Sequence, residues 1–344
     1  MSEIIECVPN FSEGNNSKII EEIAHSISSV SQVKLLNVEA DKDYNRTVIT
    51  FAGKIEPVKE AAYKATETAI NLIDMTKHIG GHPRLGAVDV VPFIPVSDVS
   101  MEQCVSISHE YGKMAADNLK IPVFLYGESA RTPQRKNLSD IRKGEYEGLE
   151  SKLSKPEWKP DFGEAIFNPK SGALVTGARF FLIAYNVNLN VHDNSIAHEI
   201  ALRIRESGRP KKTEKGEFVL DEKGKKITIP GTLKNIKAIG VLLDRYHLAQ
   251  VSMNVTNYLE TPPHIAFEEV KKQAESLGAK VTGSEIVGLT PKAALVTAGL
   301  FYAEKQGKPI PTDDNELIKI AIDSLGLNQF EEFIPQKKII EYMI

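Results

Sequence analysis

Cysteine is almost missing from this sequence: Cys7 and Cys104 are the only two in 344 residues. Two thiols that far apart make no disulfide framework. Their apolar neighbours, Val8 and Val105, read them as buried free thiols in a reducing compartment. Tryptophan is scarcer still, with Trp158 alone. No stretch approaches the ~20 apolar residues of a membrane span. The opening MSEIIECVPNFSEG has neither the basic start nor the long apolar core of an export signal. Charge of one sign is also lacking. The net value of −4 offers no surface for nucleic acid or membrane, and Lys211, Lys212 and Lys215 are interleaved with acids as in a solvated loop. Together these absences predict a cytoplasmic protein without membrane or nucleic-acid partners.

Several nucleotide and nucleophile signatures are missing too. There is no G-x-x-x-x-G-K-[ST], no G-x-G-x-x-G after a strand and no G-x-S-x-G elbow. Neither cysteine sits in an electropositive loop, which argues against a thiolate nucleophile.

What is present is an ordinary globular composition, 42% hydrophobic and 26% charged, in a chain long enough for two domains. In the first half, strands are expected at 4–8, 33–38, 46–52, 87–96 and 123–126. Helices are expected at 18–29, 57–73 and 101–118. Pro92 and Pro95 keep the 87–96 strand from being central along its whole length. Residues 127–172 form a long, proline-punctuated connection, a common setting for function. In the second half, strands are expected at 178–189, 237–243, 249–255 and 280–287, with helices at 195–206, 263–277, 291–305 and 315–324. Residues 209–230 read as an inserted hairpin or loop. Both halves share the order strand, helix, strand, strand, helix, strand. This predicts an α+β protein made of a tandem pair of ferredoxin-like βαββαβ subdomains, 1–177 and 178–344, with a cleft between them.

Chemistry concentrates in DMTKHIGGHPRLGAVDVVPFIP, residues 74–95. Gly80 and Gly81 open backbone conformations closed to other residues, and Pro83 fixes the chain after His82. A histidine on such a loop can be aimed, and its ordinary pKa suits proton transfer near neutrality. A loop histidine that merely bonds backbone is the alternative at this stage. His78 and His82 stand four apart as in a zinc helix, but the glycines and proline oppose a helix and no third ligand is near. No metal is therefore expected. Two other polar stretches follow strands. PNFSEG (9–14) offers Asn10, Ser12 and Glu13, and EADKDYNRT (39–47) offers Glu39, Asp41, Asn45 and Arg46, with an ordinary polar turn as the other reading, above all for Asp41. Arg46 and Arg84 are candidates to hold a substrate carboxylate through the guanidinium fork, with a plain surface charge as the other reading.

The stretches ECVPNFSEG, NRTVITFAG and HIGGHPRLGAVDVVPFIPV, with PVFLYGE, IRKGEYEGL, TGARFFLIAYNVNL, LAQVSMN and IIEYMI, resemble the formiminotransferase family over nearly the whole chain. The resemblance implies transfer of a formimidoyl group from N-formimidoyl-L-glutamate to tetrahydrofolate in histidine breakdown. It also implies tetrahydrofolate as co-substrate, a homodimer and two ferredoxin-like subdomains. It makes His82 the catalytic histidine. It makes Gly163, Glu164, Ala165, Ile166, Phe167, Asn168, Pro169, Lys170, Ser171 and Gly172 a folate-binding loop. A chain that stops after the transferase part is expected to lack the cyclodeaminase activity fused to it in animals. One departure stands out: Glu39 stands where the family often has aspartate, so the carboxylate is kept on a stem one methylene longer. As the orienting group for a cationic amidine, Glu39 joins His82 in the expected catalytic set. Phe162 and Phe167 are expected either to wall the folate rings or to pack in the core. A related activity on 5-formyltetrahydrofolate and a non-catalytic folate-binding protein are the competing functions.

Overall fold

The computed structural model of the chain describes residues 3–307 and 309–344; Met1, Ser2 and Lys308 fall outside the described residues. The chain divides into two compact units, the first running to Arg179 and the second covering Phe180–Met343.

In the first unit, strand β1 (Ile4–Cys7) and its short continuation β2 (Asn10–Phe11) precede helix α1 (Ser17–Ser28). Helix α1 starts where the Asn16 side chain accepts from the amides of Lys18 and Ile19, and Ile20, Ile23 and Ile27 share its buried face. Strands β3 (Val33–Asp41) and β4 (Arg46–Gly53) form a hairpin, followed by helix α2 (Ile55–Leu72), strand β5 (Val88–Ser97) and helix α3 (Met101–Leu119). Ser100 and Gln103 close a reciprocal capping box at the start of α3. Antiparallel pairing runs β3–β4–β1/β2–β5, which is the sheet order of a ferredoxin-like unit.

The sheet then grows beyond that unit. Strand β6 (Val123–Gly127) and strand β7 (Leu174–Ala178) add parallel partners in the order β5–β7–β6. Pro92 pairs with Gly177 of β7, on a stretch of β5 flanked on both sides. On the other side its missing donor falls at the break between β2, which pairs with Val88 and Val90, and β1, which pairs with Phe93–Ser97. The proline is tolerated because the partner strand is interrupted there.

The 127–172 connection is not structureless. It holds helices α4 (Leu138–Arg142) and α5 (Leu149–Leu153). One core, with Cys7, Phe51, Phe93 and Tyr111, lies under the long helices. A second core joins Val90, Phe124 and Val175 to Ile141, Leu149 and Leu153. The parallel part of the sheet is therefore covered on both faces, as parallel strands require.

In the second unit, strand β8 (Ile183–Leu189) leads to helix α6 (Asn194–Ile204) and a separate two-stranded hairpin, β9 (Arg209–Pro210) with β10 (Thr228–Ile229). Strands β11 (Ile236–Leu243) and β12 (Leu248–Val255), helix α7 (Pro263–Ser276) and strand β13 (Val281–Val287) complete a sheet of order β11–β12–β8–β13. All its pairings are antiparallel, so the βαββαβ reading holds for this unit as well. Helices α8 (Lys292–Lys305) and α9 (Asp314–Leu325) follow. One expected element is corrected. The strand foreseen at 178–189 is the end of β7 plus a separate β8, because the chain leaves the first sheet after Ala178 and enters another at Ile183.

Candidate active site

Three loops that are far apart in sequence meet in the first unit, and Asn45 holds them together. Its Oδ1 accepts from the Gly14 amide at 2.9 Å and from Asn15 Nδ2 at 2.8 Å, while its Nδ2 donates to the Ile79 carbonyl at 2.8 Å. Asn45 itself has φ 47°, a left-handed conformation that asparagine tolerates better than most side chains. Its carbonyl faces His78 Nε2 at 2.9 Å. The loops fit closely enough to demand glycine. A β-carbon on Gly80 would meet the Tyr44 carbonyl oxygen at 2.5 Å, and one on Gly14 would meet that of Asp41 at 2.1 Å.

The two contacts of the His78 ring set which nitrogen accepts. Arg84 Nε donates to His78 Nδ1 at 3.3 Å, and an arginine can only donate. Nδ1 is therefore the acceptor, and the proton sits on Nε2, facing Asn45. Both ring nitrogens of His78 are engaged within the protein. Arg84 is buried, with Nη1 and Nη2 on Glu147 at 2.9 and 2.6 Å and Nη1 also on Glu145 at 3.0 Å. Burial alone would lower its pKa, but the Glu147 hydrogen bonds and the two carboxylate charges outweigh that and raise it. Its fork is thus directed at the chain's own acids, and what it does directly is hold the 145–147 turn against the His78–Arg84 loop.

His82 is half-buried on the same loop, with its ring edge-on to Tyr44 at a centroid distance of 6.2 Å. Burial, then the positive charges of Arg46, Arg142 and Arg84, push its pKa down to about 4. At neutral pH the imidazole is an unprotonated base in a cationic setting. Arg142 pairs with Asp89, which is fully buried and also accepts from the Leu85 amide at 3.1 Å. Arg46 begins β4, with its guanidinium 5.8 Å from the Tyr44 ring centre, and its buried Nε has no hydrogen-bond partner.

Two cavities lie beside the His78–Arg84 loop, between it and the 142–147 segment. One, of about 380 Å³, is lined by His78, Ile79, Gly80, Arg84, Gly144, Glu145 and Glu147. The other, of about 240 Å³, is lined by Pro83, Ser139, Arg142, Lys143, Gly144 and Glu145.

The 163–172 loop borders the same region. The Ser171 carbonyl accepts from Ala87 and the Leu85 carbonyl accepts from Ala173. The Lys170 carbonyl accepts from Met75, Lys170 Nζ donates to the Asn71 carbonyl, and the Tyr146 hydroxyl donates to the Pro169 carbonyl. Asn168 Oδ1 accepts from the amides of Lys170 and Ser171. Residues 168–172 are thus anchored, while Glu164, Ala165 and Ile166 face outward and Phe167 lies half-buried 5.5 Å from the Tyr146 ring. Gly163 and Gly172 have φ of 81° and 67°, and a β-carbon on Gly172 would sit 2.2 Å from the Leu85 carbonyl oxygen. Phe162 takes the core-packing role instead, against Gly112 of α3 with Arg131 over its ring at 4.9 Å.

Asn10 and Glu39 stand a little apart from the cavities. Phe11, Ile49 and Phe51 point into the helix-side core. By strand alternation Asn10, paired with Val48, lies on the opposite face, as does Glu39, which also pairs with Val48. Glu39 is exposed, lies within β3 rather than after it, and accepts from Asn37 Nδ2 at 2.7 Å. Sequence reasoning named Asn45 among the polar residues of the 39–47 loop, but missed Tyr44, Arg142, Asp89 and the Glu145–Glu147 turn as parts of this assembly. The G-x-x-x-G spacing of Gly144 and Gly148 in IRKGEYEGL was the available signal. Among the described residues, no three histidine, cysteine or acidic side chains gather as a metal-binding group, and no helix is long and apolar enough to cross a membrane.

Family models for the formiminotransferase domain match this chain over residues 4–179, the N-terminal subdomain, and over residues 184–344. A formimidoyltransferase-cyclodeaminase of Dictyostelium discoideum is 47% identical over the whole chain, which covers 61% of that relative. Glutamate formimidoyltransferases of Streptococcus pyogenes and Thermoplasma acidophilum are each 40% identical over 88% of the chain, covering 94% and 93% of those relatives. The chain thus spans about three-fifths of the length of the cyclodeaminase-bearing relatives it matches.

Proposed function

The chain belongs to the formiminotransferase family, and from that premise we propose that it moves the formimidoyl group of N-formimidoyl-L-glutamate to N5 of tetrahydrofolate. The observation that carries this reading is the convergence of the 9–14, 41–46 and 78–86 loops on Asn45, with a neutral His82 on the last of them against Tyr44, beside the anchored 163–172 loop.

In the reaction, N5 of tetrahydrofolate attacks the amidine carbon and a C–N bond forms while the C=N electron pair moves onto nitrogen. His82, unprotonated at neutral pH, takes the N5 proton. It then returns that proton to the glutamate nitrogen as the second C–N bond breaks and L-glutamate leaves. Arg46, with its unpartnered Nε, is proposed to hold a donor carboxylate, and Arg84 to position His78 and the 145–147 turn. Asn10 faces the same side of the sheet as Glu39, and both belong to the proposed substrate surface. The 163–172 loop is proposed to take tetrahydrofolate, with Phe167 and Ile166 against its flat rings. A homodimer and a reducing, cytoplasmic setting complete the reading. The two buried free thiols support the setting, and light scattering would test the dimer.

Two predictions arise here. The acid limb of kcat/KM should lie far below the ordinary histidine range, near pH 4, so that activity is flat between about pH 6 and 8 on His82's account. Between about pH 6.5 and 4 the unfolded chain binds the His82 proton first, so the contribution to stability is full above about pH 6.5 and is eroded as pH falls toward 4. Arg46→Met removes the largest charge acting on the ring and should move that limb upward toward 6.5. An unmoved limb would show that Arg46 does not act on the ring. Second, Phe167→Ala should weaken tetrahydrofolate binding by about 0.5–1.5 kcal/mol beyond lost area, leaving formimidoylglutamate binding near wild type. Fluorescence titration with each substrate reads this, and equal losses for both would assign the ring to the loop's own packing. A product assay offering formimidoylglutamate or 5-formyltetrahydrofolate separates this function from the nearest related activity.

A further inference from the structure

The donor carries an amidinium, a planar delocalised cation that pairs with a carboxylate through two parallel N–H donors, as a guanidinium does. Bringing it to His82 places it among Arg46, Arg84 and Arg142, the three cations that act on that ring. Like charges at that range oppose binding, so the site needs a carboxylate with capacity to spare.

The acids paired with two of these arginines differ in how far they are committed. Asp89 is buried, paired with Arg142 and bonded to the Leu85 amide. Glu147 uses both oxygens on Arg84. Glu145 accepts one bond, from Arg84 Nη1 to its Oε2 at 3.0 Å, and its side chain stays partly open at 42% exposure. Glu145 also lines both cavities beside the His78–Arg84 loop that carries His82. Its backbone is held at φ 54° after Gly144 at φ 87°. The turn is closed by the Glu145 amide on the Arg142 carbonyl and the Gly148 amide on the Gly144 carbonyl, each at 2.7 Å. A glutamate in the left-handed region is uncommon and carries a conformational cost. Here that geometry sets its carboxylate on the wall common to the two cavities. Glu39, by contrast, lines neither cavity and is bonded to Asn37.

We propose that Glu145 is the specificity-determining carboxylate that receives the amidinium of the donor. The inference rests on the function proposed above. When the donor arrives, the uncommitted Oε1 and the singly bonded Oε2 face its two N–H groups, while Glu147 keeps Arg84 in place.

The test is steady-state kinetics of wild type, Glu145→Gln, Glu145→Asp and Glu39→Gln, with N-formyl-L-glutamate, the neutral isostere of the donor, as competitive inhibitor. Glu145→Gln should raise KM for formimidoylglutamate by roughly tenfold or more, as loss of a charge-assisted pair implies, with KM for tetrahydrofolate unchanged. Its preference for the cationic donor over N-formyl-L-glutamate should collapse, and Glu145→Asp should restore part of it. An unchanged donor KM and preference in Glu145→Gln, or a loss of preference found only in Glu39→Gln, overturns the inference. A wild-type enzyme that transfers nothing overturns the proposed function itself, and the inference with it.

Discussion

His82→Ala is expected to lower turnover by roughly 10²–10⁴-fold, the range for a lost general acid–base group, in a protein that still folds. The loop does not depend on this imidazole. It is held by Asn45 on Ile79, by the His78–Asn45 and His78–Arg84 bonds, and by the close approach of Gly80 to Tyr44. Truncation removes an edge contact with Tyr44 and a hydrogen bond to the Pro83 backbone, neither of which is among those anchors. His78→Ala should behave differently, because it cuts the link between Arg84 and the 41–46 turn. Its effect should be a smaller loss of turnover with a lower melting temperature. Near wild-type turnover in a folded His82→Ala protein would remove His82 from the chemistry.

Asp89→Ala is expected to cost about 3–5 kcal/mol of stability, as breaking a buried ion pair does when one partner is left uncompensated. The Asp89 side chain is 2% exposed and Arg142 16%. Removing the carboxylate strands the Arg142 guanidinium and takes the acceptor from the Leu85 amide, one residue after Arg84. Burial pushes the Asp89 carboxyl up and Arg142 opposes that shift, so the pair's value lies in mutual compensation rather than in excess attraction. Replacing both residues by leucine should therefore recover much of the loss. Urea denaturation reads the effect, and a loss below about 1 kcal/mol for Asp89→Ala would show that Arg142 finds another partner.

The regular elements were legible because their periodicity is local. Ile20, Ile23 and Ile27 announce α1, and the alternation in IAYNVNL announces β8, with Tyr185 and Val187 facing the core. The break between β7 and β8 was not legible. Ala178 to Ile183 is an almost continuous apolar run, and only the change of sheet separates the strands. Helices α4 and α5 have five residues each, too few to leave a periodic trace. In the candidate site, the glycine-flanked histidine could be read, since glycine and proline constrain their neighbours directly. The setting of Arg84 could not. A sequence shows a free cation, whereas its partners lie 61 and 63 residues further on. Asn45 could be named as a polar loop residue, but its bridging role could not: its bonds reach residues 31 and 34 positions away. Glu39 was found as a polar residue near a strand end, but strand β3 runs two residues past it and leaves it exposed.

The central claim is group transfer to folate, and the measurement that tests it most directly follows the carbon. The enzyme is incubated with tetrahydrofolate and N-formimidoyl-L-glutamate labelled with ¹³C at the formimidoyl carbon, and the products are resolved by NMR. The expected result is label on N5 of the folate with one L-glutamate released per label transferred, and almost none of this with His82→Ala. Label that stays on glutamate, or appears in a small hydrolysis product with no folate adduct, would contradict the account.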